Sequence, residues 1–327
     1  MATLLFLLLQ AVLVILTRMQ RRTPLPPNQP VAHLITALNF GRAAQYPLPL
    51  GTKSPVAYFV LSRRGSFEVR KTIRNTWAFG KDNVFFVIGG ACTIPLKYRS
   101  IDDGGNLACG VSPVQIDKHY YFEEVQKNIL IGRAEDEKLL LEQAAFRDIL
   151  FVNEIDTYRS LSKKLKFIYT YAYQNLPNAK WIVKIDDDFF VRVDDFNEYI
   201  MANFNESLPI VISGLISTGK AHTAGKWKEV PQYPPGKEYP PFPLGSFGHA
   251  VSLPVFEHIT EHQGGLFDYQ GEDSSLGIWL SHSNALAVQF HQSNTMKNNG
   301  DCKDRSVFVV GHDIRPREMI ECNNTLY

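Results

Sequence analysis

The chain has 327 residues, 45% hydrophobic and 20% charged, a composition that excludes a disordered protein and allows one large α/β domain or two smaller ones. Lys and Arg total 34 against 33 Asp and Glu, so with a net charge of +1 no strong field points to nucleic acid. No internal repeat or extended low-complexity tract stands out.

Ala2 to Leu16 is apolar apart from Thr3 and Gln10, and Arg18, Arg21 and Arg22 follow. The run is shorter than the ~20 residues of a membrane span. A signal-peptide core fits that length, yet no basic stretch precedes it and no small-residue cleavage site follows. Basic residues after the segment also run against the positive-inside rule for an anchor with its N-terminus inside. Residues 1–22 are read as a signal-anchor or signal segment, with the anchor preferred; either one delivers the chain to the secretory pathway. Residues 23–54 carry Pro24, Pro26, Pro27, Pro30, Pro47 and Pro49 with weak periodicity, which predicts an extended stem or linker.

The globular part begins near residue 55. Ala57–Leu61 reads as a buried strand and Phe67–Trp77 as a helix in which Arg70 and Arg74, four apart, share one face. Guanidinium groups suit phosphate or stacking on a base; the plain alternative is surface helix charge. Val84–Ile88 is a second strand, and Gly89-Gly90 after it reads as a turn, since no G-x-G-x-x-G surrounds it. A charged amphipathic helix covers about Glu135–Phe146, Asp148–Val152 is a third strand, and Leu161–Gln174 is the next helix. Strands alternating with helices imply a parallel sheet covered on both faces.

The following strand ends abruptly: Trp181-Ile182-Val183-Lys184-Ile185 runs into Asp186-Asp187-Asp188, then Phe189-Phe190-Val191. Most acidic triplets are solvated loop or cap charges. Apolar flanks on both sides argue against that here, because buried charges are paired or bind metal. At the C-terminal end of a parallel strand they stand where α/β sheets bind ligands, and hard cations bridge such carboxylates to a diphosphate. This is the D-x-D arrangement of enzymes that use nucleotide sugars.

Past residue 210 the pattern breaks into short runs interrupted by Gly and Pro, as loops that build a substrate site would read. Glu272-Asp273 opens the apolar stretch Leu276–Leu280; adjacent carboxylates there can push one pKa upward, or simply complement a helix N-terminus. His312 follows Val307–Val310 and so sits at a strand end. An isolated histidine is ordinarily a satisfied structural residue. Cys92, Cys109, Cys302 and Cys322 contain no C-x-x-C, which argues against zinc or a thioredoxin-like site. Three disulfide connectivities are open, and proximity in sequence favours Cys92–Cys109 with Cys302–Cys322; free buried thiols are the alternative. Asn205-Glu206-Ser207 and Asn323-Asn324-Thr325 are glycosylation sequons.

Six motifs in order, over about residues 55–321, resemble the β-1,3-galactosyltransferase and β-1,3-N-acetylglucosaminyltransferase family. Arg70 to Trp77 matches R-x-x-I-R-x-T-W. Asp156 to Lys164 resembles D-x-Y-x-N-L-T-x-K, with Ser160 for Asn and Ser162 for Thr. Lys184 to Val191 matches K-x-D-D-D-x-F-V. Tyr239 to Ser252 resembles Y-P-P-Y-x-x-G-x-G-Y-V-x-S; aligned without a gap, Phe247 replaces Gly, Gly248 replaces Tyr and His249 replaces Val. Glu272 to Gly277 matches E-D-V-x-x-G apart from Ser274, and His312 to Met319 resembles H-x-x-x-P-x-x-M.

The resemblance implies a GT-A-type nucleotide-sugar glycosyltransferase fold: a single Rossmann-like domain over 55–327 with a mostly parallel central sheet and a loop-rich acceptor half. It implies inverting transfer of a hexose, galactose favoured, from a UDP-sugar in β-1,3 linkage to a glycan on glycoprotein, glycolipid or proteoglycan. UDP-N-acetylglucosamine is the alternative donor. Asp188 and His312 would hold Mn²⁺, or Mg²⁺ in its place. Asp273, with Glu272 beside it, would be the base. Arg70, Arg74, Asp156, Tyr158, Lys164, Lys184, Asp186 and Asp187 would build the nucleotide pocket. Trp227, Tyr239 and Phe242 would meet the acceptor, with core packing the plain alternative for each. The expected location is the Golgi membrane, single-pass type II, with the catalytic domain luminal. A catalytically silent homologue acting as a secretory-pathway chaperone or glycan binder is the rival, suggested by the departures at Ser160, Phe247, Gly248 and Ser274; retention of Asp186, Asp188, Asp273 and His312 speaks against it.

Overall fold

A computed structural model describes residues 52–112, 118–234, 236–283 and 285–327. The expected N-terminal segment, and the linker up to residue 51, lie outside these. In chain order the elements are β1 (Val56–Leu61), α1 (Phe67–Asn75), β2 (Val84–Gly90), the hairpin β3 (Arg99–Ile101) and β4 (Leu107–Val111), α2 (Lys118–Phe146), β5 (Ile149–Ile155), α3 (Leu161–Asn175), β6 (Trp181–Asp186), β7 (Phe190–Val191) and α4 (Val193–Asn203). The second half adds β8 (Ile210–Ser213), β9 (Ile216–Lys220), β10 (Glu238–Pro243), β11 (His249–Ser252), α5 (Leu253–His262), α6 (Glu272–Ser281), β12 (Gln289–Gln292), β13 (Met296–Asn298), β14 (Val309–Gly311) and α7 (Pro316–Leu326).

Seven strands form the central sheet in the order β12-β8-β11-β6-β1-β2-β5. Within it β11 runs antiparallel to both neighbours, β6 and β8, and every other pairing is parallel. The expected α/β fold with a mostly parallel sheet holds. The strand sequences explain the burial. In β1, Val56, Tyr58 and Val60 join one core while Ala57, Phe59 and Leu61 join the other, so an uninterrupted apolar run serves two covered faces. Ile73 of α1, Phe196 of α4 and Met319 of α7 pack on the first face; Leu165 of α3, Phe256 of α5 and Trp279 of α6 pack on the second.

Three local expectations are corrected. Gly89-Gly90 is the end of β2, not a turn. A Cβ on Gly89 would lie 2.8 Å from the Glu154 carbonyl oxygen, so glycine is what lets β2 approach β5 there. Helix α2 begins at Lys118, well before Glu135. The half past residue 210 is not mainly loop: β8, β11 and β12 complete the main sheet, and their four residues apiece are too short to display a period.

Arg70 and Arg74 also differ from expectation. All five N–H groups of wholly buried Arg70 are taken: by Glu142 Oε1 (2.9 Å) and Oε2 (2.8 Å), Ser62 Oγ (3.2 Å), and the Arg63 (2.7 Å) and Arg64 (3.2 Å) carbonyls. Arg74 forks onto Asp148 (2.7 and 2.8 Å), reaches Glu142 Oε1 at 2.6 Å, and lies over the Phe86 and Phe146 rings. Neither arginine has a place in the cleft lining; they fasten α1 and the loop after β1 to α2. The disulfides Cys92–Cys109 and Cys302–Cys322, with Cα atoms 5.7 Å apart in each, tie β4 to the exit of β2 and α7 to the segment before β14.

Removing Glu142 would leave two arginines with a carboxylate missing in a mostly dry site. Glu142→Ala should therefore cost about 3 kcal/mol, the low end for breaking a buried pair because Arg74 keeps Asp148. Urea titration should show a lower midpoint at unchanged slope. A midpoint equal to wild type would mean that the cluster contributes nothing net.

Candidate active site

The C-terminal ends of β1, β2 and β6 open onto a cleft of about 540 Å³ lined by residues 61–65, Gly90–Cys92, Asp156–Tyr158, Asp186–Asp188, Lys226 and His312. Leu61 is in register with Asp186, so the triplet starts where the neighbouring strand stops. Asp187 is held from β1, its N–H on the Leu61 carbonyl (3.2 Å) and its Oδ2 accepting from Ser62 Oγ (2.8 Å). Asp156 pairs with Lys164 Nζ and accepts from the Arg64 backbone N–H (3.4 Å). Arg64, on the same loop, is anchored by Glu135 (2.9 Å), Asp136 and the Gly89 carbonyl (3.0 Å).

Lys184 lies two residues before Asp186 in β6, hence on the same face. Its side chain has no exposure, and its Nζ sits 3.0 Å from Asp186 Oδ1 and 2.6 Å from Glu272 Oε1. Burial alone would lower its pKa, but Asp186 and Glu272 outweigh that and hold it well above the usual lysine value. Beside it on β11, His249 is fully buried and hydrogen-bonded with the Tyr169 hydroxyl at 2.9 Å. Burial, reinforced by Lys184, keeps its ring neutral.

Glu272 and Asp273 open α6 and are set apart by their partners. Burial raises the Glu272 pKa, yet the contact with Lys184 prevails and holds it low. Asp273 accepts from the Gly245 N–H (2.9 Å) and the Ser274 N–H (2.8 Å), and among the described residues no salt bridge engages it. Burial, then the Glu272 charge, push its pKa up to about 6. One carboxylate is committed to a salt bridge, and the other is left as a weak base near neutral pH.

Asp188 and His312 are brought together from β6 and β14, with His312 Nδ1 3.0 Å from Asp188 Oδ2. That oxygen also accepts from the Asp313 N–H at 3.1 Å, while Asp188 Oδ1 is buried with no hydrogen-bond partner. Ligand atoms of Asp188, His312 and Asp313 lie within 4.8 Å of one another. An orphaned carboxylate oxygen next to imidazole and a second carboxylate fits a divalent cation that accepts mixed O and N ligands, such as Mn²⁺. Sequence reading missed Asp313; an acid directly after the strand-end histidine was the available signal.

The acceptor-side residues separate. Trp227 is 55% exposed beside the cleft. Tyr239 and Phe242 are each 7% exposed and pack with Tyr233 and Ile278 in a small core between β10 and α6, so they offer no free face to a sugar. The Tyr239 hydroxyl donates to Glu229 at 2.7 Å. Tyr158 lines the cleft, its pKa pushed up to about 12 by burial and by Glu272 and Asp273. Asn205 is exposed in the loop after α4, and Asn323 lies within α7.

Residues 115–292, more than half of the chain, match the family model described as Galactosyltransferase, and the chain belongs to that family. It is 31% identical over 159 residues to UDP-GalNAc:beta-1,3-N-acetylgalactosaminyltransferase 2 of Xenopus laevis, covering 49% of this chain and 32% of that protein. The Homo sapiens protein of that name is 33% identical over 149 residues (45% and 29%), and Beta-1,3-galactosyltransferase GALT1 of Arabidopsis thaliana 29% over 184 residues (54% and 28%). The chain thus spans about a third of the length of these relatives. Among solved structures, a glycosyltransferase involved in glycosylation of the major capsid of PBCV-1 overlaps 83% of this chain and all of its own, at 11% identity and a TM-score of 0.34.

Two predictions come from this geometry. Lys184→Met would leave Glu272 and Asp186 facing each other without their cation. The loss should be about 3 kcal/mol, discounted because the Asp186 side chain is 35% exposed, and a melting curve should record it. Asp273→Asn should lower kcat by about 10²–10⁴-fold with donor affinity nearly unchanged, as removal of a general base does. If Asp273 is the base, the wild-type rate should fall as pH drops through about 6, since a base works ionised and its pKa lies there. Turnover within fivefold of wild type for Asp273→Asn, with a lower melting temperature, would make Asp273 structural.

Proposed function

We propose that the chain is an inverting, metal-dependent β-1,3-glycosyltransferase taking a galacto-configured hexose from a UDP-sugar. UDP-galactose stands first, as in the resemblance to the galactosyl branch, and UDP-N-acetylgalactosamine beside it, because the relatives above carry that donor in their names. One observation carries the reading: the Asp188–His312 pair, with its orphaned oxygen, lines the cleft at the strand ends, and Asp273, a carboxyl with a pKa near 6, stands close enough to the cleft residue Tyr158 to act on its hydroxyl.

In this reading the residues divide the work. Asp156, Tyr158 and Asp187 face the nucleotide from the strand ends. Asp188 and His312 would hold a divalent cation, Mn²⁺ or Mg²⁺, which when bound neutralises the diphosphate. Asp273 removes the acceptor hydroxyl proton as that oxygen attacks the far side of the anomeric carbon. Trp227 offers an exposed aromatic face to a glycan. The protein would act in the Golgi lumen, held by residues 1–22 as a type II membrane protein; the two disulfides, the exposed Asn205 sequon and the apolar N-terminus support that placement.

Hydrolysis and transfer should be assayed with UDP-galactose, UDP-N-acetylgalactosamine and UDP-N-acetylglucosamine, with Mn²⁺ or EDTA. Activity with a galacto donor, abolished by EDTA and by Asp188→Asn, is the expected result. Asp188→Asn keeping more than a tenth of the wild-type rate would remove Asp188 from the metal site, and no turnover with any donor would favour the silent glycan-binding homologue.

A further inference from the structure

Three cations around the cleft are matched by acids. Arg64 meets Glu135 and Asp136, Lys164 meets Asp156, and Lys184 meets Asp186 and Glu272. Arg99 spends its guanidinium on the Ile94 (2.8 Å) and Cys92 (3.4 Å) carbonyls. Lys226 differs: among the described residues no ion pair engages its ammonium, and its Nζ lies 4.7 Å from the Tyr158 ring centroid and 5.8 Å from that of Trp227. Arg63 also lines the cleft with its side chain exposed, and among the described residues neither an ion pair nor a ring holds it.

The backbone under Lys226 is unusually well held for an exposed loop. Its carbonyl accepts from Asn106 Nδ2 and from Gln270 Nε2, each at 2.9 Å. Next to it, Lys228 pairs with Asp103 at 2.8 Å, and Arg159 joins Asp102 (2.6 Å) to the Lys228 carbonyl (3.3 Å). Buried Glu229 accepts from the Gln270 N–H (2.7 Å) and the Val230 N–H (2.8 Å) as well as the Tyr239 hydroxyl. The β3–β4 hairpin, itself tied by Cys92–Cys109, therefore clasps this loop against the segment leading into α6. An ammonium with no ion pair among the described residues, on a braced backbone in the cleft lining, is available to an anion brought into the cleft.

We propose that Lys226 contacts the β-phosphate of the donor and carries the charge that arrives there on transfer. This rests on the nucleotide-sugar reading above. In that step the acceptor oxygen bonds to the anomeric carbon as the bond from that carbon to the β-phosphate oxygen breaks. The acceptor proton passes to Asp273, and the electron pair leaves with UDP, which gains one negative charge. An ammonium already in place is worth most at that moment.

Calorimetric titration of the full chain with UDP, UMP and uridine, each with and without Mn²⁺, tests this. Wild type should bind UDP more tightly than UMP. Lys226→Met should weaken UDP about tenfold, leave UMP and uridine within about twofold, and lower kcat, with an unchanged melting curve because the side chain is exposed. Lys226→Arg, which keeps the charge, should retain most of the preference for UDP. Unchanged UDP affinity in Lys226→Met, equal weakening of UDP and UMP, or Lys226→Arg as weak as Lys226→Met would each overturn the assignment while leaving the donor reading intact. A wild-type chain that binds no UDP would overturn both.

Discussion

A lysine with no solvent exposure, held between Asp186 and Glu272, is the constraint around which this site is arranged. Moving an ammonium out of water costs several kcal/mol, recovered only if its partners are close and correctly placed. Asp186 ends β6 and Glu272 begins α6, so the charge balance of one side chain fixes a strand end against a helix start. Those two ends carry the residues proposed above as metal ligand and base. Asp188 follows Asp186 toward His312, and Asp273 follows Glu272 to the Gly245 N–H. Lys184 also explains why adjacent carboxylates behave differently: it holds Glu272 ionised, while burial, then the Glu272 charge, raise the pKa of Asp273.

A second set of charges sets the cleft's other wall. Arg64, Arg70 and Arg74 are met by Glu135, Asp136, Glu142 and Asp148, and these pairs seat the loop after β1 on α2. Arg70 donates to Ser62 Oγ, which in turn donates to Asp187. An arginine outside the cleft thus helps aim the middle residue of the triplet. The same residue types that would suit a phosphate are here consumed by positioning, and the braced cation Lys226, with no ion pair among the described residues, comes from the loop between β9 and β10.

Much of this was legible in the sequence. Uninterrupted apolar runs such as Val56–Leu61 and Trp181–Ile185 mark central strands, and the break into Asp186–Asp188 marks their ligand end. What was hidden is whatever depends on partners distant in sequence. Arg70 reads as a phosphate ligand until Glu142, 72 residues on, is seen to occupy it. Tyr239 and Phe242 read as sugar platforms because aromatic type alone does not tell a face turned to solvent from one packed on Ile278. Asp313 carried no motif of its own, and the clasp on Lys226 comes from Asn106, 120 residues away.

The departures between Phe247 and His249 have a structural explanation that bears on whether the chain is active. Gly248 has φ of 65°, and a Cβ there would lie 2.9 Å from the Ile185 side chain and 3.0 Å from the Lys184 carbonyl oxygen. Glycine is required at that position, immediately above the buried lysine. The gap-free alignment of Y-P-P-Y-x-x-G-x-G-Y-V-x-S placed a tyrosine there, which that contact forbids. One extra residue in the single 3₁₀ turn at Gly245–Phe247 restores the match: Gly248 takes the second glycine, His249 the aromatic place and Ser252 the final serine. His249 then occupies that place with a fully buried ring bonded to Tyr169, next to Lys184. Two of the substitutions that suggested a silent homologue, Phe247 and Gly248, become a one-residue insertion that leaves the strand-end chemistry in place.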